Sequence, residues 1–135
     1  MGFVENFERR LESLVNGAFS KAFKSQLQPV EISAAIKAKM DVSAAVIGKD
    51  RILAPNDFKV SLSQQDLFRL NSMGDHLIPE ITRQVSSHVK RQRYQLTDAL
   101  NISLSASSSL AVGQIQVTAR EDEADKDMFK ASVSW

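Results

Sequence analysis

Apolar positions recur at spacings of three and four from Phe3 through Phe7, Leu11, Leu14, Val15, Ala18, Phe19 and Ala22 to Phe23. Such a stripe predicts one amphipathic helix of about twenty residues. Glu5, Glu8, Arg9 and Glu12 occupy the other side, with Glu5 and Arg9 at the i, i+4 spacing of a helical ion pair. A helix lying on a membrane surface would carry a basic polar face, whereas this one leads with glutamates, so a core-facing helix is expected. A second helix is expected from Pro29, whose missing N–H costs nothing in a first turn. Val30, Ile32, Ala35, Ile36 and Met40 form its apolar side, and the pattern fades near Asp41.

The period then shortens to two. Val42 to Ile47 is apolar and β-branched, Gly48-Lys49-Asp50-Arg51 reads as a hairpin turn, and Ile52-Leu53-Ala54 returns. After Pro55-Asn56-Asp57, Phe58, Val60 and Leu62 alternate with Lys59, Ser61 and Ser63, the pattern of a strand with one buried face. Ser63 is placed to cap a short helix carrying Leu67, Phe68 and Leu70, with Asp66 three residues on as in a capping box. Gly74 and Pro79 predict a break before a longer helix through about Arg91, striped by Leu77, Ile78, Ile81, Val85 and Val89. Two more one-sided strands follow, Leu100-Ile102-Leu104 and Ile115-Val117-Ala119, separated by a polar loop at Ser107-Ser108-Ser109 and by Gly113.

The predicted order is α-α-β-β-α-β-β. One-sided strands with interspersed helices imply an α+β, two-layer domain whose antiparallel or mixed four-stranded sheet carries helices on one face. The chain has 135 residues, enough for one domain. Residues 1–120 hold 15 Lys and Arg against 11 Asp and Glu, while 121–135 hold 2 against 5. That shift at Glu121-Asp122-Glu123 divides the chain into a domain at 1–120 and an acidic tail or linker start at 121–135. Phe129, Ala131, Val133 and Trp135 alternate as a strand would, but after so acidic a stretch an unstructured end is expected.

Candidate chemistry is sparse. No cysteine is present, which removes disulfides, thiolate metal sites and cysteine nucleophiles, and agrees with a reducing, cytoplasmic setting. His76 and His88 are too far apart on one straight helix to share an ion, and no His-Glu-x-x-His pattern accompanies them. No Gly-x-Ser-x-Gly elbow exists, and Gly48-Lys49 lacks both the earlier glycine and the following Ser or Thr of a phosphate loop. Neither an enzyme nor a bound cofactor, metal or small-molecule substrate is therefore expected. No apolar run is long enough to span a bilayer. The densest cation cluster, Lys90-Arg91-Gln92-Arg93, sits at a helix C-terminus, where the dipole already favours it. It is a candidate partner-binding site. With the polar strand residues Lys59, Ser61, Asn101, Ser103, Gln116, Thr118 and Arg120 it also offers an alternative reading, a small nucleic-acid-binding domain. Those positions lack the aromatics on which bases stack.

Several runs together resemble the N-terminal domain of FhaA-type proteins, bacterial adaptors that end in a forkhead-associated domain. They are Phe7-Glu8-Arg9-Arg10-Leu11-Glu12, Gly17-Ala18-Phe19, Ala22-Phe23 and Gln28-Pro29-Val30-Glu31-Ile32. Further on come Arg51-Ile52-Leu53-Ala54-Pro55-Asn56 and Ser109-Leu110-Ala111-Val112-Gly113-Gln114. The resemblance implies a signalling adaptor beside serine/threonine kinases that control cell-wall synthesis and division, with kinase, cell-wall or division proteins as partners. The family often has Thr before the last-turn Gly. Val112 stands there and cannot accept phosphate, which leaves Ser107, Ser108 and Ser109 as nearby acceptors. The motif residues Arg51, Leu53, Ala54, Pro55, Asn56 and Gly113 also have a structural reading, since Pro fixes φ and Asn turns the chain. A C2 homodimer through a free sheet edge is a further expectation.

Overall fold

A computed structural model describes residues 19–23 and 25–120. The elements are β1 (Phe19–Ala22), α1 (Pro29–Ser43), β2 (Ala45–Gly48), β3 (Arg51–Leu53) and β4 (Asp57–Leu62). They continue with α2 (Gln64–Asn71), α3 (Leu77–Gln92), β5 (Tyr94–Gln95), β6 (Asn101–Ala106) and β7 (Gln114–Ala119). The fold is α+β, as the alternation of periods implies.

Its main layer is a mixed four-stranded sheet in the order β1-β7-β4-β6. β4 runs parallel to β6, with Phe58 opposite Ile102 and Val60 opposite Leu104. On its other side it runs antiparallel to β7, where Val60 meets Val117 and Leu62 meets Ile115. Register thus stacks the apolar positions of all three strands on one face. Phe58, Val60, Leu62, Ile115 and Val117 are buried there beneath the helices, while Lys59 and Ser103 on the other face stay exposed. α1 packs on β7 and β1 and against α3, and sends Ile32, Ile36 and Met40 into the same core as Ile81 and Val85 of α3. Burial of each such side chain contributes roughly 1.5–3 kcal/mol.

Local chemistry sets the helix ends. Pro29 opens α1, and Glu31 Oε1 accepts the backbone N–H of Gln28 at 3.0 Å. Ser63 Oγ caps α2 by accepting the Asp66 N–H at 3.0 Å. Pro79 lies inside the first turn of α3, where the backbone N–H has no helical partner to lose.

Three expectations change. Phe19–Ala22 is a strand, not the end of a helix: it pairs antiparallel with β7, Phe19 opposite Val117 and Ala22 opposite Gln114. Four residues of mixed polarity satisfy either period, and the long-range ladder decides. The rest of the expected first helix, and the tail from 121, lie outside the described residues. α1 continues through Ser43, so Val42 is helical and β2 starts only at Ala45. Finally, the β2–β3 hairpin does not join the main sheet. It forms a separate three-stranded sheet, β2-β3-β5, completed by the two-residue strand after α3.

Candidate interaction surface

The second sheet brings together residues that are far apart in sequence. β3 and β5 run parallel, with Ile52 opposite Tyr94 and Leu53 opposite Gln95. That register carries Arg51, the first residue of β3, and Arg93, the residue before β5, to the same end of the pair. Arg93 has a left-handed backbone, φ 58°, and its N–H closes α3 on Lys90 O at 3.2 Å, one turn back. In the β2–β3 hairpin Gly48 lies opposite Arg51, and a Cβ at Gly48 would sit 3.6 Å from Arg51 Cδ, so the Arg51 stem crosses over it. The adjoining turn contributes Lys49, followed by Asp50 at φ 60°. Lys90, Arg91 and Arg93, the sequence-predicted cluster, are thus joined by Arg51 and Lys49, and all five are exposed.

Beside these cations the β2 edge is apolar. Val46 is 77% exposed and Ile47 48%. A register shift between Val46 and Gly48 marks Ile47 as a bulged position, which turns both aliphatic side chains toward solvent.

Near the C-terminal ends of α1 and α3 sits a polar triad that the sequence did not announce. Asp41 Oδ1 accepts the Tyr94 hydroxyl at 2.6 Å and lies 2.8 Å from His88 Nε2, the donor to the same carboxylate oxygen. His88 is buried, and its ring meets Tyr94 edge-on at 5.9 Å between centroids. The three residues tie the ends of α1 and α3 to β5. Burial first, then the hydrogen bond to Asp41 and its charge, push the Tyr94 phenol up to about 12. His76 is the residue preceding α3 and is exposed.

The motif residues hold the two sheets together. Ala54 and Pro55 are buried, and the Ala54 N–H donates to Gln95 O at 2.9 Å, extending the β3–β5 pair. Leu53, half-buried, ends β3. Asn56 Nδ2 donates to Ala99 O at 3.2 Å, its Oδ1 accepts from Thr97 Oγ1 at 3.3 Å, and its carbonyl accepts the Asn101 N–H at 2.7 Å. Gly113, φ 88°, donates its N–H to the buried Asp66 and accepts from Phe23 N. Among these motif residues only Arg51 presents its polar end to solvent. In the 107–109 loop Ser107 Oγ and Ser109 Oγ lie 2.8 Å apart, while Ser108 is exposed. Val112, 41% exposed, precedes Gly113.

Among the described residues no cluster of His, Asp or Glu is placed to hold a metal ion, and no helix is long and apolar enough to cross a membrane. What the surface offers is charge and apolar area for contact.

A solved structure of the Rv0020c N-terminal region superposes with a TM-score of 0.61 at 22% identity, covering 69% of this chain and 70% of that one, and so shares the fold. The FHA domain-containing protein FhaA of Mycobacterium tuberculosis (strain ATCC 25618 / H37Rv) is 25% identical over 113 residues, 84% of this chain. The chain spans only 21% of that relative's length. The family model described as FhaA, N-terminal domain, matches residues 4–118, and by that extent the chain belongs to the FhaA N-terminal domain family.

Proposed function

We propose that the chain is a non-enzymatic protein-interaction and assembly domain of a signalling adaptor, acting beside serine/threonine kinases in the regulation of cell-wall synthesis and division. The observation that carries this reading is the family match over residues 4–118, together with a relative that is an FHA domain-containing protein. The surface supports it: the polar groups of the motif residues are mostly spent on holding the sheets together, while the exposed cations and aliphatic side chains around the β2–β3 hairpin are suited to contact rather than reaction. In this reading residues 1–120 are the module, 121–135 begin a linker, and Ser107–Ser109 are accessible to a kinase. Self-association into a C2 dimer belongs to the same reading, and light scattering that returned only a 15.0 kDa species at high concentration would remove it.

The test is affinity capture from the cytoplasm with the whole chain as bait, followed by reconstitution with each purified partner. Recovery and direct binding of a kinase, a division protein or a cell-wall enzyme is the expected result. Recovery of nucleic acid alone, released by salt, would overturn it.

A further inference from the structure

We infer that the cationic end of the β2–β3 hairpin, with the apolar edge beside it, binds an acidic segment of a partner protein. The inference rests on the protein-interaction reading and specifies the chemistry of the partner.

Five exposed cations lie on the elements that converge there: Lys49 and Arg51 in the hairpin, Lys90 and Arg91 in the last turn of α3, and Arg93 just before β5. The parallel β3–β5 register, not sequence proximity, brings Arg51 and Arg93 to the same end of the pair. The ion pairs among the described residues link Arg69 to Asp66, Arg83 to Glu80, His88 to Asp41 and Arg120 to Asp57, and none draws on these five. Asp41, exposed near the end of α1, is engaged at Oδ1 by His88 and Tyr94. Asp50 lies between Lys49 and Arg51 at the hairpin apex. Among the described residues these five cations outnumber the acids near them, and an incoming anionic chain relieves their mutual repulsion while gaining charge-assisted hydrogen bonds to the guanidinium forks.

Charge alone does not choose among anions; the neighbouring surface does. Val46 and Ile47 flank the cations, and a protein segment that pairs acidic with aliphatic residues covers both kinds of surface. A nucleic acid would leave the aliphatic side chains uncovered. Nor would it find a ring to stack on, since Tyr94 packs against the core and is held by Asp41. A flat anionic bilayer approaching the hairpin would meet Asp50 at the apex together with the cations.

A displayed random-peptide library panned against the whole chain tests this. The expected enrichment is in runs of Asp and Glu next to Val or Ile. The synthesised winner should lose at least about tenfold in affinity to the Arg51→Glu/Arg93→Glu variant, and bind more weakly to Val46→Asp and in higher salt. All three positions are exposed, and an unchanged melting temperature verifies that each variant folds. Enrichment of basic or aromatic sequences, no enrichment, or equal affinity for the variants would overturn the inference. Tighter binding to an oligothymidylate or to phosphatidylserine vesicles than to the peptide would do so as well. If captured partners still bind the Arg51→Glu/Arg93→Glu variant, this surface is refuted while the adaptor reading stands. If reconstitution yields no protein partner at all, the adaptor reading fails with it.

Discussion

The buried carboxylate of Asp66 accepts the backbone N–H of Gly113 at 2.8 Å, joining the first turn of α2 to the loop that feeds β7. Its other oxygen accepts the Leu27 N–H at 3.4 Å and an Arg69 guanidinium N–H at 3.3 Å. The same guanidinium donates to Leu27 O. Gly113 in turn accepts the Phe23 N–H at 2.8 Å, just beyond β1. One carboxylate therefore fixes three chain segments: the approach to α1, the start of α2 and the turn before β7. The sequence places Asp66 in a capping box with Ser63, and the backbone half of that cap forms. The side chain, however, turns inward to these more distant donors.

Asp66→Ala should be among the most destabilising substitutions in the domain. It strands two backbone donors and a partly buried guanidinium, each costing about 1–3 kcal/mol. The expected total is about 3–5 kcal/mol, read by urea denaturation. Asp66→Asn should recover little, because both carboxylate oxygens accept and the amide NH2 must face one of the donors. An Asn variant within about 1 kcal/mol of the parent would show that the hub is not needed.

Gly113 and Gly74 form a matched pair for separating backbone strain from steric conflict. Both have positive φ, 88° and 104°. A Cβ at Gly113 would lie 2.7 Å from Phe23 O and 2.8 Å from Ser25 O, whereas at Gly74 it meets nothing within 4 Å. Gly74→Ala should cost only backbone strain, about 1–2 kcal/mol. Gly113→Ala adds a clash with two carbonyls that cannot move without disturbing the Phe23–Gly113 hydrogen bond, so its cost should be about twice that or more. Equal losses in melting temperature would mean that the 23–25 segment yields easily.

Elements whose burial pattern is self-consistent were legible in the sequence. Phe58, Val60 and Leu62 announce β4, Pro29 and Ser63 mark the starts of α1 and α2, and Gly74 marks the break before α3. What could not be read was set by pairing across the chain. Phe19–Ala22 takes its conformation from β7, and Tyr94–Gln95 is a strand only because β3 lies beside it. The candidate surface divides the same way. Lys90, Arg91 and Arg93 stand out as a run, but Arg51 joins them only through the β3–β5 register. Asp41 reaches His88 and Tyr94 only once α1 and α3 have packed.

The lone tyrosine makes that last contact measurable. Tyr94 is the only tyrosine in the chain, so a single phenolate transition should appear when absorbance near the tyrosinate band is followed against pH. Its midpoint is expected near 12 rather than at the ordinary 10.0, raised first by burial and then by Asp41. Asp41→Asn removes the negative charge but leaves the burial, so the midpoint should fall only part of the way back. Because the folded value lies above the unfolded one, the folded state holds the proton more tightly. The associated stability is fully present below pH 10, and is lost as pH rises from about 10 through about 12. Urea midpoints should accordingly drop across that alkaline window in the parent, and drop less in Tyr94→Phe, which has no phenolic proton to lose. A parent transition at 10, unchanged by Asp41→Asn, would show that α1 and β5 are not held together by this contact.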